Sequence, residues 1–304
     1  MSKHILPADK SQIIQLLQDL WNYTGSADIH RLGGLTNHTY RVILESGDDL
    51  VFRLPGEGTE EMIRRNDEKI STQLASSLGI DTDILYFDET GVKIMRYIPD
   101  AITMSEDLLK DPVNIAHVAD IFRQLHTCGI DTKVPFEVFD MAANYEKIIH
   151  ELNVPMFEDY ASIKHQVMSI KSNIDSIMEI QKVPCHNDPL CENWIIGQDR
   201  IYLIDWEYAG MNDGMWDIAD VAIEANYSSE DELHLLCAYL NHAPNHRELQ
   251  HYYANKIYVD YLWTLWAKAR VPYDGQPMDD WACERYTRMK CSMKQFEELS
   301  QTEA

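Results

Sequence analysis

A chain of 304 residues with 45% hydrophobic content has apolar material for one large domain or two lobes. Its formal net charge of -24 speaks against nucleic-acid binding, which needs a basic face towards phosphates. The same charge suits either a cationic partner or a merely solvated surface. No apolar run reaches membrane-span length, Met1-Ser2-Lys3-His4 has no signal-peptide pattern, and the six cysteines form no CxxC pair. The expectation is a soluble, cytoplasmic protein with reduced thiols, no zinc site and no membrane insertion.

In chain order, Ile13, Ile14, Leu16, Leu17, Leu20 and Trp21 recur at helical spacing and predict a helix over 11–22. Ile29 to Leu32, Thr39 to Leu44 and Leu50 to Leu54 read as strands of an antiparallel meander. Turn signals separate them at Gly33-Gly34 and Ser46-Gly47-Asp48-Asp49. A helix is predicted over 60–78, ended by Gly79. Two further strands, Ile84 to Phe87 and Val92 to Tyr97, flank Glu89-Thr90-Gly91. Ile98-Pro99-Asp100 breaks the pattern and reads as a linker.

Beyond it the pattern is helical at 112–127, 142–152, 160–180, 214–226, 230–241, 246–270 and 279–299. Only 183–208 is β-rich, and it reads as a β hairpin carrying chemical groups. The fold class expected is α+β and bilobal, with a small antiparallel β-rich N-lobe (1–97) and a large, mainly helical C-lobe (98–304).

The chemistry concentrates in that hairpin. His186-Asn187-Asp188-Pro189-Leu190-Cys191-Glu192-Asn193 is followed by Leu203-Ile204-Asp205-Trp206-Glu207. Taken singly, each polar residue here is a turn or capping residue. Together, an Asp, an Asn five positions on and a second Asp after a short apolar run resemble the catalytic loop and metal-binding segment of ATP-dependent kinases. That resemblance implies a protein-kinase-like plan. Asp188 would orient the attacking hydroxyl and accept its proton, and Asn193 and Asp205 would offer oxygen ligands to Mg2+ on the ATP phosphates. His186 and Asp217 read as structural, Asp217 capping its helix or bracing the loop.

The same plan points to ATP contacts in the N-lobe. Gly33-Gly34-Leu35-Thr36-Asn37 lies between two strands, where glycines let backbone N–H groups approach phosphates; Gly33, Gly34, Thr36 and Asn37 are the candidates. Arg53 occupies the position of the strand cation, with Glu68 as its ion partner and Glu61 as a rival. Met95 and Tyr97, on the strand from Lys93, would lie beside adenine.

GGLTNHTYRV, VFRLPG, RRNDEKIST, IMRYI, FRQLH, CHNDPLCENWII and LIDWEYAGMNDGMWDIADVAIE together resemble the choline/ethanolamine kinases, especially bacterial ones, within the aminoglycoside-phosphotransferase-like branch of kinase-like folds. The resemblance runs from about Gly33 to about Tyr286. It departs in Pro189-Leu190-Cys191 inside the loop and in His38 after Asn37. It implies transfer of the ATP γ-phosphate to the hydroxyl of a small cationic alcohol, choline. A quaternary ammonium is held by aromatic faces and carboxylates. Glu224, Trp263, Trp266 and Trp281 would line that site, with Tyr227, Tyr261 and Tyr286 as further walls. Glu207 would order water or metal, or face the substrate. Aromatic stripes on helices are also common core packing. Ethanolamine, thiamine and aminoglycosides stand as alternative acceptors, and a catalytically silent nucleotide- or choline-binding protein as an alternative of another class.

Overall fold

Tyr40, Val42 and Leu44 alternate along one strand, and Leu50, Phe52 and Leu54 along the next, so one face of a meander is apolar and must be covered. In the computed structural model, which describes residues 6–33, 37–56, 64–198 and 200–301, the cover is helix α1 (Pro7–Trp21). Proline at its N-terminus lacks a donor only where none is needed. Ile13 and Leu17, one turn apart, join the buried cluster formed by the strands. Asn22 ends the helix in the left-handed region, φ 50°.

The chain sorts into two compact units, 1–104 with 192–209, and 105–191 with 210–304. This grouping differs from a single break after Tyr97, because 192–209 belongs with the first unit.

Unit 1 holds an antiparallel sheet of β1 (Ala27–Gly33), β2 (Asn37–Leu44), β3 (Asp49–Pro55), β4 (Ile84–Phe87) and β5 (Lys93–Arg96), in the order β1-β2-β3-β5-β4. Helix α2 (Arg65–Ser77) lies between β3 and β4 in the chain. The expected residues 60–63 of that helix, with Glu61, fall outside the described residues. A second sheet joins β6 (Ile102–Thr103), β8 (Trp194–Ile196) and β9 (Ile201–Leu203) in the order β6-β8-β9.

Unit 2 is built from the helices α3 (Glu106–Leu109), α4 (Pro112–His126), α5 (Val138–Glu151), α6 (Tyr160–Ile177), α7 (Gly214–Glu224), α8 (Ser229–Leu240), α9 (His246–Asp274) and α10 (Gln276–Gln301). One antiparallel ribbon, β7 (Lys182–Cys185) with β10 (Gly210–Asp213), completes it. Side-chain caps mark several starts: Asp111 accepts from Val113 N, and Ser228 with Asp231 and Asn245 with Glu248 form capping boxes. Helix α9 is buried on all sides through its middle and packs against α5, α6, α7 and α10, which makes it the central helix of the unit. Among the described residues, no helix is long and apolar enough to cross a membrane.

The single hairpin expected over 183–208 is two structures. β7 pairs with β10 beyond the segment, and the β8–β9 hairpin between them pairs with β6. Short strands need an edge: β7 and β8 found one in partners distant in sequence, β10 and β6, while β9 pairs with its hairpin neighbour β8. The α+β class, with an antiparallel N-terminal sheet and a mainly helical remainder, is the one expected.

Candidate active site

In unit 1 the β8–β9 register sets the first part of the site. Trp194 pairs with Leu203, so Asn193 falls opposite Ile204, whose amide donates to the Asn193 carbonyl at 2.9 Å. The spacing between Asn193 and Asp205 is therefore that of a closed hairpin with Asp205 one residue past the pair. Asp205 adopts φ 68°, a left-handed conformation that Asp and Asn tolerate best among residues with a Cβ. Its Oδ1 is buried without a hydrogen-bond partner and lies 3.7 Å from Arg53 Nη1. Glu207 Oε2 is likewise buried and unpartnered. Burial, and then the charges of Asp205 and Glu68, push the Glu207 carboxyl up to about 7. Two neighbouring carboxylates with orphaned oxygens form the kind of donor set a hard cation relieves.

A sheet face places the cations. Residues alternate along β3, so Arg53 points away from the core that takes Phe52 and Leu54. Its direct cross-strand neighbour on β5 is Lys93. Two like charges facing each other on a sheet repel, and both are almost fully buried. Glu68 on α2 resolves the conflict. Its carboxylate lies 2.5 Å from Arg53, 3.0 Å from Arg65 and 3.6 Å from Lys93. The Phe87 ring lies 5.7 Å from the Arg53 guanidinium and 5.5 Å from the Lys93 ammonium. Gly91, φ +95°, has to be glycine: a Cβ there would lie 2.6 Å from Arg65 Nε.

Burial alone would raise the Glu68 carboxyl; Lys93 and Arg53, with hydrogen bonds from Arg53 and Arg65, outweigh it and bring it down to about 2. A carboxyl whose folded value is depressed adds stability above its unfolded value of 4.5, and loses it as pH falls towards 2. Over that window the wild-type protein should lose on the order of 3 kcal/mol that Glu68→Gln does not. Urea unfolding of both proteins along an acid series checks this, and parallel profiles would refute it.

The remaining nucleotide candidates are placed as follows. Gly33 ends β1 at a register irregularity and pairs with Thr39; Gly34 and Thr36 lie outside the described residues. Asn37 is buried at the start of β2, its Oδ1 accepting from Arg65 at 3.3 Å. Met95 is half-buried on β5, opposite Val51. The Tyr97 ring carries the Arg41 guanidinium 3.8 Å from its centroid.

In unit 2 the loop after β7 is held by one carboxylate. Asp217 accepts from the His186 amide at 2.8 Å and the Asn187 amide at 2.7 Å, and His126 Nε2 lies 3.0 Å from it. Asn187 sits at φ 67°, with Trp216 Nε1 donating to its carbonyl and Asn212 to its side-chain oxygen. Of the two structural roles open to Asp217, bracing is the one found; the cap of α7 is Asp213, which accepts from Met215 N at 3.0 Å. The bracing also brings His126, Cys185 and Asp217 together, with their ligand atoms within 4.8 Å of one another. His186 turns Nδ1 towards the Asp188 amide, 3.3 Å away. Asp188 is thus presented, half-buried, on a loop fixed at the two preceding residues.

The aromatic candidates are contiguous. The Trp263 and Trp266 rings meet edge to face at 6.2 Å, as do those of Trp266 and Trp281 at 5.9 Å. Trp263 is buried, whereas Trp266 and Trp281 are half-buried. The Arg285 guanidinium covers Trp281 at 4.1 Å from the ring centroid and pairs with the Glu224 carboxylate. The three tyrosines are engaged internally: Tyr227 donates to the Leu109 carbonyl, Tyr261 meets Tyr160, and Tyr286 stacks on Phe157 at 3.9 Å.

The sequence does not single out Arg65, Lys93, Asp220 and Arg285. For Lys93 the clue is one charge between Val92 and Ile94 in an apolar strand. For Asp220 it is the spacing of Asp217, Asp220 and Glu224 on one face of an otherwise apolar helix.

A family model for choline/ethanolamine kinase matches residues 29–270. Protein LicA of Haemophilus influenzae is 29% identical over 276 residues, covering 88% of this chain and 79% of that protein. A choline/ethanolamine kinase family protein from Mesorhizobium loti has a crystal structure similar at a TM-score of 0.83, with 31% identity over 97% of this chain and 98% of that one. The crystal structure of choline kinase LicA from Streptococcus pneumoniae is similar at a TM-score of 0.78, with 28% identity over 95% and 99%.

Proposed function

Because the chain belongs to the choline/ethanolamine kinase family, we propose that it transfers the γ-phosphoryl group of ATP to the hydroxyl of a small cationic alcohol, choline foremost. The observation that carries this reading is the loop clamped by Asp217, which presents Asp188 after two fixed residues. In this reading unit 1 carries the nucleotide and metal groups and unit 2 the acceptor groups.

Arg53, held by Glu68, would bind the ATP phosphates, with Gly33 and Asn37 as further phosphate candidates among the described residues, and Met95 and Tyr97 would flank the adenine. Asn193 and Asp205 would hold Mg2+, with Glu207 beside them. Their fit rests on the orphaned Asp205 oxygen and on the mutual repulsion of Asp205 and Glu207. Bound Mg2+ supplies charge compensation for the phosphate oxygens. Asp188 accepts the acceptor's hydroxyl proton as its oxygen bonds to phosphorus and ADP leaves.

The contiguous tryptophans favour a quaternary ammonium, which cannot donate a conventional hydrogen bond and is stabilised by ring faces. Ethanolamine is the second reading. Arg285 covers one Trp281 face and takes the Glu224 carboxylate, which narrows the aromatic surface open to a trimethylammonium group.

ATP consumption measured with choline, ethanolamine, thiamine and an aminoglycoside tests the proposal. Choline should give the highest kcat/KM, ethanolamine the next, and the other two little above background. Consumption that none of the four stimulates would refute it.

A further inference from the structure

The acceptor wall of unit 2 contains more acidic groups than one cation needs, and most are already matched. Arg285 pairs with Glu224 and lies 3.2 Å from Asp260. Arg288 donates to both oxygens of Asp260, at 2.9 and 2.6 Å. Asp217 is occupied by two amides and His126. Glu224 and Asp260 together therefore face two guanidinium groups, and neither carries charge left over for an incoming cation.

Asp220 differs from all of these. It is 1% exposed, and neither of its oxygens has a hydrogen-bond partner among the described residues. On α7 it lies three residues after Asp217 and four before Glu224, on the face they share. The groups that act on it through space are Glu224 and Asp217 from its own helix, Arg285 from α10 and Asp188 from the loop after β7. An unpartnered carboxyl in such a place is costly unless something answers it.

We propose that Asp220 is the specificity-determining residue of the acceptor site: it supplies the uncompensated negative charge that favours a cationic alcohol over a neutral one. It is buried, interacts through space with Glu224 and Arg285, and acts as a positioning charge rather than a contact. The inference rests on the acceptor being a cationic alcohol, as proposed above.

A titration signature follows. Burial first, then Glu224, hold the Asp220 carboxyl well above the ordinary carboxylate range, and Arg285 only partly opposes them. A bound cation favours the ionised form. Raising pH populates that form, so preference for a cationic acceptor should increase with pH.

The test compares choline with its neutral isostere, in which a quaternary carbon replaces the nitrogen, using the full-length protein. The ratio of the two KM values is read from about pH 6 to about pH 9. In the wild-type protein the preference for choline should rise with pH. In Asp220→Asn it should be about tenfold smaller and flat with pH. The KM for ATP should stay the same, a split that a general structural defect would not produce.

A wild-type ratio and profile in Asp220→Asn would overturn the inference. Should that variant not fold, the wild-type profile decides: a pH-independent preference overturns the inference as well. The two readings fail differently. If the wild-type protein consumes no ATP with either alcohol, both fall; if choline is turned over and Asp220→Asn keeps the wild-type ratio, only the role of Asp220 falls.

Discussion

Asp188→Ala is expected to lower kcat by about 10²- to 10⁴-fold while the KM for ATP stays within about threefold, the range of a lost general base. The structure explains why the change should remain local. The loop's position depends on the His186 and Asn187 amides bound to Asp217, on Trp216 and on Asn212. None of these bonds uses the Asp188 side chain. Removing that carboxylate leaves those bonds in place and removes the proposed acceptor of the hydroxyl proton. Steady-state kinetics with saturating choline and varied ATP measure both quantities, and thermal unfolding confirms that the fold is intact. Turnover close to wild type would sink the assignment of Asp188 as base.

Asp205→Asn should cost about 10³-fold or more in kcat/KM, in line with a metal contribution of several kcal/mol, and should raise the magnesium concentration needed for half-maximal activity. Asparagine is the informative replacement. Asp205 sits at φ 68°, and asparagine accepts that backbone conformation as readily as aspartate. The substitution removes a charge without straining the turn. It also relieves the Asp205–Glu207 repulsion while weakening the 3.7 Å Arg53 contact. Activity titrated against magnesium is the measurement, and an unchanged magnesium dependence would refute the ligand role.

Particular residues show how far the sequence could be read. Arg53 and Glu68 could be paired from strand and helix patterns, and they are ion partners at 2.5 Å. Lys93 escaped, because a lone lysine in a strand reads as a solvated edge until the register sets it opposite Arg53. Trp263, Trp266 and Trp281 could be grouped from helical spacing and resemblance, and they do touch in series. The resemblance offers Glu224 as a carboxylate for an incoming cation, and in the structure it pairs with Arg285, 61 residues further along the chain. Nothing local to either residue announces that pair.

The sequence by itself determined the N-terminal meander, the later run of helices, the α+β class and the loop spacing of Asp188, Asn193 and Asp205. These follow from short-range causes: hydrophobic period, turn residues, and the length of a hairpin closing between Asn193 and Asp205. Only the tertiary structure decided which charges are matched. Whether Glu68 sits under three cations, whether Arg285 neutralises Glu224, and whether Asp220 is left without a partner depend on distances between segments far apart in the chain. Electrostatic energy depends on separation and burial, and neither is set by neighbours in sequence.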